Sequence, residues 1–132
     1  MEKVFKAVDD ELDNATDFIN AFMEAADIEM KTIMQIDVAF EEMFVNVAHY
    51  AYEGDSGDVA VRIEKTDACV EVTLADSGIR YNPLEKTDPD ITLNAEERPI
   101  GGLGIFMVKK MMDDVRYEYK DQKNIFTFVK KI

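Results

Sequence analysis

The sequence predicts a single α+β domain spanning residues 1–132. Three observations predict it: apolar residues recur at three- and four-residue steps over some stretches, they alternate with polar residues over others, and turn clusters stand between them. A chain of 132 residues can bury a core, but it is too short for a catalytic domain plus a regulatory one.

Taken in order, Val4 to Val8 read as a short strand leading into a first helix, whose apolar stripe is Leu12, Ala15, Ile19, Phe22, Met23 and Ala26. Asp9 and Asp10 suit its first turn, where backbone N–H groups lack partners. A second helix is expected from about Lys31 to Ala51, with Ile33, Ile36, Phe40, Met43, Phe44 and Val47 facing the core. The cluster Glu53-Gly54-Asp55-Ser56-Gly57 ends it. Val59, Val61 and Ile63, then Val70, Val72 and Leu74, alternate with Ala60, Arg62, Glu71 and Thr73, so two strands should pair as a hairpin around Lys65-Thr66-Asp67. From Pro83 to Arg98 the chain is polar and without strong periodicity; a stretch of this length is often a lid or a disordered segment, and a lid is expected here. A third helix is expected over about Leu103 to Asp113, with Ile105, Val108 and Met112 as its seam. Val115 to Tyr119 and Ile125 to Val129 form a last pair of strands around Asp121-Gln122-Lys123-Asn124. The methionines fall mostly at core spacing and read as packing.

The net charge of −13 argues against nucleic acid, which is bound by neutralising phosphates, and against an anionic membrane surface. A basic protein partner would instead be steered favourably. The apolar runs are too short to cross a bilayer and the first residues lack the apolar stretch of a signal peptide, so the expected location is the cytoplasm. Cys69 is the only cysteine and sits in a strand pattern, which excludes an internal disulfide.

Three motifs carry chemistry. In Glu42-Met43-Phe44-Val45-Asn46 an acid and an amide stand one helical turn apart, with His49 and Tyr50 projecting from the same side. Asn46 offers a neutral oxygen to Mg²⁺, an ion that takes its other ligands largely from water and phosphate. Glu42 can take a proton from an attacking hydroxyl. In Asp76-Ser77-Gly78-Ile79-Arg80-Tyr81-Asn82-Pro83 a strand ends in a turn, where Asp76 is a suitable acceptor for the exocyclic amine of adenine and Gly78 lets the backbone approach a flat base. Gly101, Gly102 and Gly104 open a helix, so bare N–H groups and the positive end of its dipole can face a polyphosphate. Their spacing is neither that of a P-loop nor that of a dinucleotide fingerprint.

In this order the motifs resemble the N, G1 and G2 boxes of the GHKL ATPases. Within that superfamily the chain is most similar to the anti-sigma regulatory factor serine/threonine kinases, on the aromatic-rich His49-Tyr50-Ala51-Tyr52 and the helix ending Val108-Lys109-Lys110-Met111-Met112. The resemblance implies a Bergerat-type α/β sandwich, a mixed and mainly antiparallel sheet with helices on one face, and ATP or ADP with Mg²⁺ as cofactors. By position it makes Glu42 the catalytic base, Asn46 the Mg²⁺ ligand, Asp76 the adenine ligand, and Gly78, Gly102 and Gly104 close backbone contacts, with Arg98 and Thr127 as further contacts to phosphate and the adenine site. The family commonly has a basic residue four positions after the Asn; here Tyr50 stands there, and His49, one step before and flanking the same face, is the candidate for that nucleotide contact. The implied activity is transfer of the ATP γ-phosphoryl group to a serine of a small anti-anti-sigma-like protein, with a sigma factor or other regulator as a second partner and homodimer formation left open. The alternative is a nucleotide-dependent sequestering module without kinase activity. A detached histidine-kinase domain is disfavoured because no phosphoacceptor hairpin precedes the motifs, and chaperone or gyrase readings because no transducer domain follows.

Overall fold

The computed structural model describes residues 1–52, 57–85 and 102–132, with the backbone alone at 102 and 103. Strand β1 (Glu2–Lys6) leads through a 3-10 turn (Asp9–Glu11) into α1 (Leu12–Ala25), which α2 (Met30–Tyr50) follows. Strands β2 (Asp58–Lys65) and β3 (Cys69–Asp76) come next, then a 3-10 turn (Pro83–Glu85), α3 (Gly102–Met111), β4 (Asp114–Lys120) and β5 (Lys123–Lys131).

The strands form one sheet in the order β1-β2-β3-β5-β4, and every pairing is antiparallel. The mixed sheet that the resemblance implies is therefore wholly antiparallel over the described residues. The cause is the connection between β1 and β2. A single crossover helix would make these strands parallel, but α1 and α2 run there and back, so β2 starts beside the end of β1, with Asp58 opposite Lys6. The reversal between the helices rests on Asp27, whose positive φ of 58° is followed by a hydrogen bond from the Ile28 N–H to the Met23 carbonyl, the wrap that closes many helix C-termini.

Period two decides which face of the sheet is dry. Val59, Val61 and Ile63 on β2, Val70, Val72 and Leu74 on β3, and Phe126 and Phe128 on β5 point inward. They meet Ala15, Ile19 and Met23 of α1, Ile36, Phe40 and Phe44 of α2, and Ile105 and Val108 of α3 in one core. The other face carries polar pairs such as Arg116 with Glu71. Two of the three inward series end in a polar residue rather than an apolar one: β3 closes on Asp76, β5 begins its series at Asn124, and these two are direct partners in the ladder.

The last hairpin turns tighter than its composition suggests. Asp121 and Gln122, both at positive φ (53° and 62°), form the two-residue link of a right-twisted hairpin, with Lys120 opposite Lys123. Asn124, expected in the turn, is thereby drawn into the strand. The methionines divide: Met23, Met43 and Met112 are buried, whereas Met30, Met34 and Met107 are exposed. No helix among the described residues is long and apolar enough to cross a membrane.

Candidate nucleotide site

Beyond the inward ends of β3 and β5 lies a partly open cleft. Met43 and Val47 of α2, Phe126 of β5 and Ile79 give it apolar walls, and Asn46, Tyr50, Asp76 and Asn124 supply its polar groups. An apolar cavity with a few convergent polar groups is the usual form of a small-molecule site.

Asp76 is held in place by two donors. The Asn124 amide donates to its Oδ1 at 3.0 Å and the Gly78 N–H to the same atom at 2.9 Å. Oδ2 accepts no hydrogen bond among the described residues. Burial raises the carboxyl above its usual range, while these two donors pull it back. A carboxylate with one oxygen still open to the cleft can take a donor from outside, and the exocyclic amine of adenine is such a donor.

Asn124 uses its whole amide. Its Nδ2 also donates to the Ile79 carbonyl at 2.9 Å, and its Oδ1 accepts the Tyr81 N–H at 3.0 Å and the Tyr117 hydroxyl. One side chain thus ties β3, β4, β5 and the Asp76 turn together. Asn124, Tyr81 and Tyr117 were not among the expected site residues. The signal that finds Asn124 is the inward register of β5, which becomes visible only when the preceding turn is read as two residues.

Gly78 has a structural reason to be glycine. A Cβ there would lie 2.2 Å from the carbonyl oxygen of Ala51, because the turn packs on the end of α2 and the Ile79 N–H bonds that same carbonyl at 2.9 Å. Tyr52 braces the turn from beside it, accepting from the Ser77 N–H and donating to the Asp58 carbonyl. The Asn82 side chain caps the Leu84 N–H at 2.9 Å and starts the 3-10 turn at Pro83.

Glu42 and Asn46 stand one turn apart on α2, Glu42 exposed and Asn46 half-buried in the cleft wall. Gly104, in the first turn of α3, abuts Glu42: a Cβ at 104 would lie 2.2 Å from Glu42 Oε2. The acid of the first motif and the glycine of the third therefore meet in space. Gly102 is the first residue of α3, and Gly101 and Arg98 lie outside the described residues, as does most of the expected lid. Among the described residues no three His, Cys, Asp or Glu side chains converge on a metal position. Asn46 puts a side-chain amide in the cleft wall, and a phosphate-bound Mg²⁺, which needs only one or two protein ligands, could be held there.

Two expected contacts are placed elsewhere. His49 is exposed, and its Nε2 lies 2.9 Å from both oxygens of Asp9, which pins the end of α2 to the turn before α1. Tyr50, its neighbour, lines the cleft. Thr127 points to the outer face of the sheet and bonds Thr73, its ladder partner, at 3.2 Å.

Comparison with known proteins bears on the family and the fold. The family described as "Histidine kinase-like ATPase domain" matches residues 5–130. Serine-protein kinase RsbW of Bacillus thuringiensis (strain Al Hakam) and of Bacillus anthracis (strain CDC 684 / NRRL 3495) are each 30% identical over 88 residues, which cover 64% of this chain and 55% of theirs. The chain thus spans about half the length of the curated relatives it matches. In fold it is similar to a chain in the crystal structure of the SiaB-SiaC complex from Pseudomonas aeruginosa, with a TM-score of 0.59 and 16% identity over 98% of this chain and 89% of that one. With a family match over nearly its whole length and a buried, half-satisfied Asp76 at the head of the cleft, the chain belongs to the histidine kinase-like (GHKL) ATPase domains, an ATP-binding family in which it is distantly similar to the RsbW serine kinases.

Proposed function

We propose that this domain is a Mg²⁺-dependent protein serine/threonine kinase that acts in the cytoplasm on a small regulatory protein. The observation that carries the reading is the placement of three groups: Asp76, with Oδ2 free for adenine, and Asn46 line one cleft, and Glu42 stands one helical turn before Asn46, against the first turn of α3. Bound Mg²⁺ would neutralise phosphate charge, with Asn46 among its ligands. Gly102 and Gly104, at the N-terminal end of α3, would present N–H groups to the phosphates. Glu42 would take the proton of the serine hydroxyl as the new oxygen–phosphorus bond forms and the bond to the ADP leaving group breaks.

The serine-kinase relatives support the choice of acceptor, and the similar fold found in a complex of two proteins supports a protein partner. We take that partner to resemble the anti-anti-sigma class, with a sigma factor or other regulator as a second one. The test incubates the protein with labelled ATP, Mg²⁺ and small regulatory domains encoded nearby. Label should reach a serine, and Glu42→Gln should keep nucleotide affinity while lowering transfer by roughly 10² to 10⁴, the usual worth of general base catalysis. A wild type that binds a partner and ATP yet transfers nothing would make the domain a nucleotide-dependent sequestering module. No adenine-nucleotide binding at millimolar concentration would overturn the site itself.

A further inference from the structure

We infer that the outer ridge of α2 docks a Lys/Arg-rich amphipathic helix of a partner protein. Met30, Met34 and Val38 follow one another at four-residue steps and are 61%, 62% and 42% exposed, although the opposite side of the same helix carries Ile33, Ile36 and Phe40 into the core. Residues four apart on a helix lie in one ridge, the element into which a second helix packs. Three large apolar side chains in a row are a patch rather than scattered exposure, and methionine is the residue that adapts to varied apolar partners.

Charge decides which partner fits. Between Asp9 and Tyr50 the chain carries eleven Asp or Glu residues and only one Lys or Arg, Lys31, so this stretch holds most of the net charge of −13. Exposed acids bracket the ridge at both ends, Asp27 and Glu29 before Met30 and Glu41 and Glu42 after Val38. A second copy of the chain would bring two such surfaces together and be repelled. A helix with an apolar stripe flanked by Lys and Arg would bury the methionines and pair with the acids. The inference does not rest on the kinase reading, and its test needs no nucleotide.

The probe is a synthetic peptide of roughly 18 residues, about five helical turns, with Leu on one face and Lys on the other. It is titrated into the full chain carrying ¹³C-methyl methionine. The Met30 and Met34 methyl signals should shift saturably while those of buried Met23 and Met43 stay in place, and the same peptide with Glu for Lys should leave all four unmoved. The double variant Met30→Glu, Met34→Glu should keep its melting temperature, since both positions are exposed, and lose about tenfold or more in affinity, as anchors at the centre of an interface do. Shifts confined to other methyls, an unchanged affinity in the double variant, or equal binding of the Glu peptide would overturn the docking site. Met30 and Met34 shifts that appear on concentrating the protein alone would make a second copy the occupant and overturn the basic helix.

Discussion

Removing the Asn124 side chain should destabilise the whole domain, not only the cleft. Asn124→Ala leaves four groups without their partner: Asp76 Oδ1, the Ile79 carbonyl, the Tyr81 N–H and the Tyr117 hydroxyl. Asp76 keeps the Gly78 N–H and the tyrosine can turn toward water, but the two backbone groups belong to the turn after β3, which the Ile79 N–H ties to the end of α2. A fully buried group left unpaired costs about 1–3 kcal/mol and these are part-buried, so the expected loss is about 1–3 kcal/mol in all, which lowers the melting temperature of a domain this size by roughly 5–10 °C. Urea unfolding and calorimetry measure both. Asn124→Asp sharpens the test, because it sets a second carboxylate against Asp76 Oδ1. One of the pair is then held protonated in the folded state, its pKa raised above the unfolded value, so the folded state binds the extra proton. Stability of this variant should therefore be fully present at low pH and be lost as pH rises through the pair's folded range. An Asn124→Ala protein within about 0.5 kcal/mol of wild type, the level of an ordinary surface change, would refute this account of the network.

Four further outcomes are expected. Gly78→Ala should cost about 1–3 kcal/mol in urea unfolding, since its Cβ meets the backbone of Ala51 and not a side chain that can turn away. Gly104→Ala meets only the flexible end of Glu42, so the protein should stay folded and gain up to about 1 kcal/mol of helix propensity, while displacement of Glu42 lowers any phosphoryl transfer. Asp37 and Asn20 each bury an Oδ1 without a partner, and burial raises the Asp37 carboxyl above its usual 3.8. Its contribution to stability is thus lost as pH rises above that value, and Asp37→Asn should gain about 0.5–1 kcal/mol at pH 7, the worth of one hydrogen bond, with the gain fading near pH 4. Gln122→Gly should raise stability by a similar amount, because φ of 62° suits glycine and strains glutamine.

The helices and the first hairpin were legible in the sequence because each buries one face, and a face leaves a period. The stripe from Ile33 to Val47 placed α2 within a residue of its ends, and Val59 to Leu74 placed β2 and β3 with their inward residues. Where an edge strand buries a single side chain, as β1 buries Phe5, no period is left to read. Val4 of β1 is exposed, and the strand runs from Glu2 to Lys6 instead of toward Val8. Composition also hid the exposed methionines, since a ridge at four-residue steps reads like core spacing until the true core occupies the opposite side of the helix.

The same reasoning explains why Asp76 was read correctly as a strand-end carboxylate and its partner was missed. Asp76 precedes Ser77-Gly78, and an acid before a glycine turn announces the end of a strand. Asn124 follows Asp121-Gln122-Lys123, a run with no glycine, so nothing in composition says that the turn closes after two residues. Once it does, register decides everything downstream: a one-residue slip would send Phe126 and Phe128 outward and bring Ile125 and Thr127 in. The two phenylalanines, nearly fully buried, cannot lie on the wet face, and it is their burial that sets Asn124 opposite Asp76. The polar heart of the cleft is thus fixed by the apolar residues beside it, and weakening either phenylalanine should loosen Asp76 without touching it.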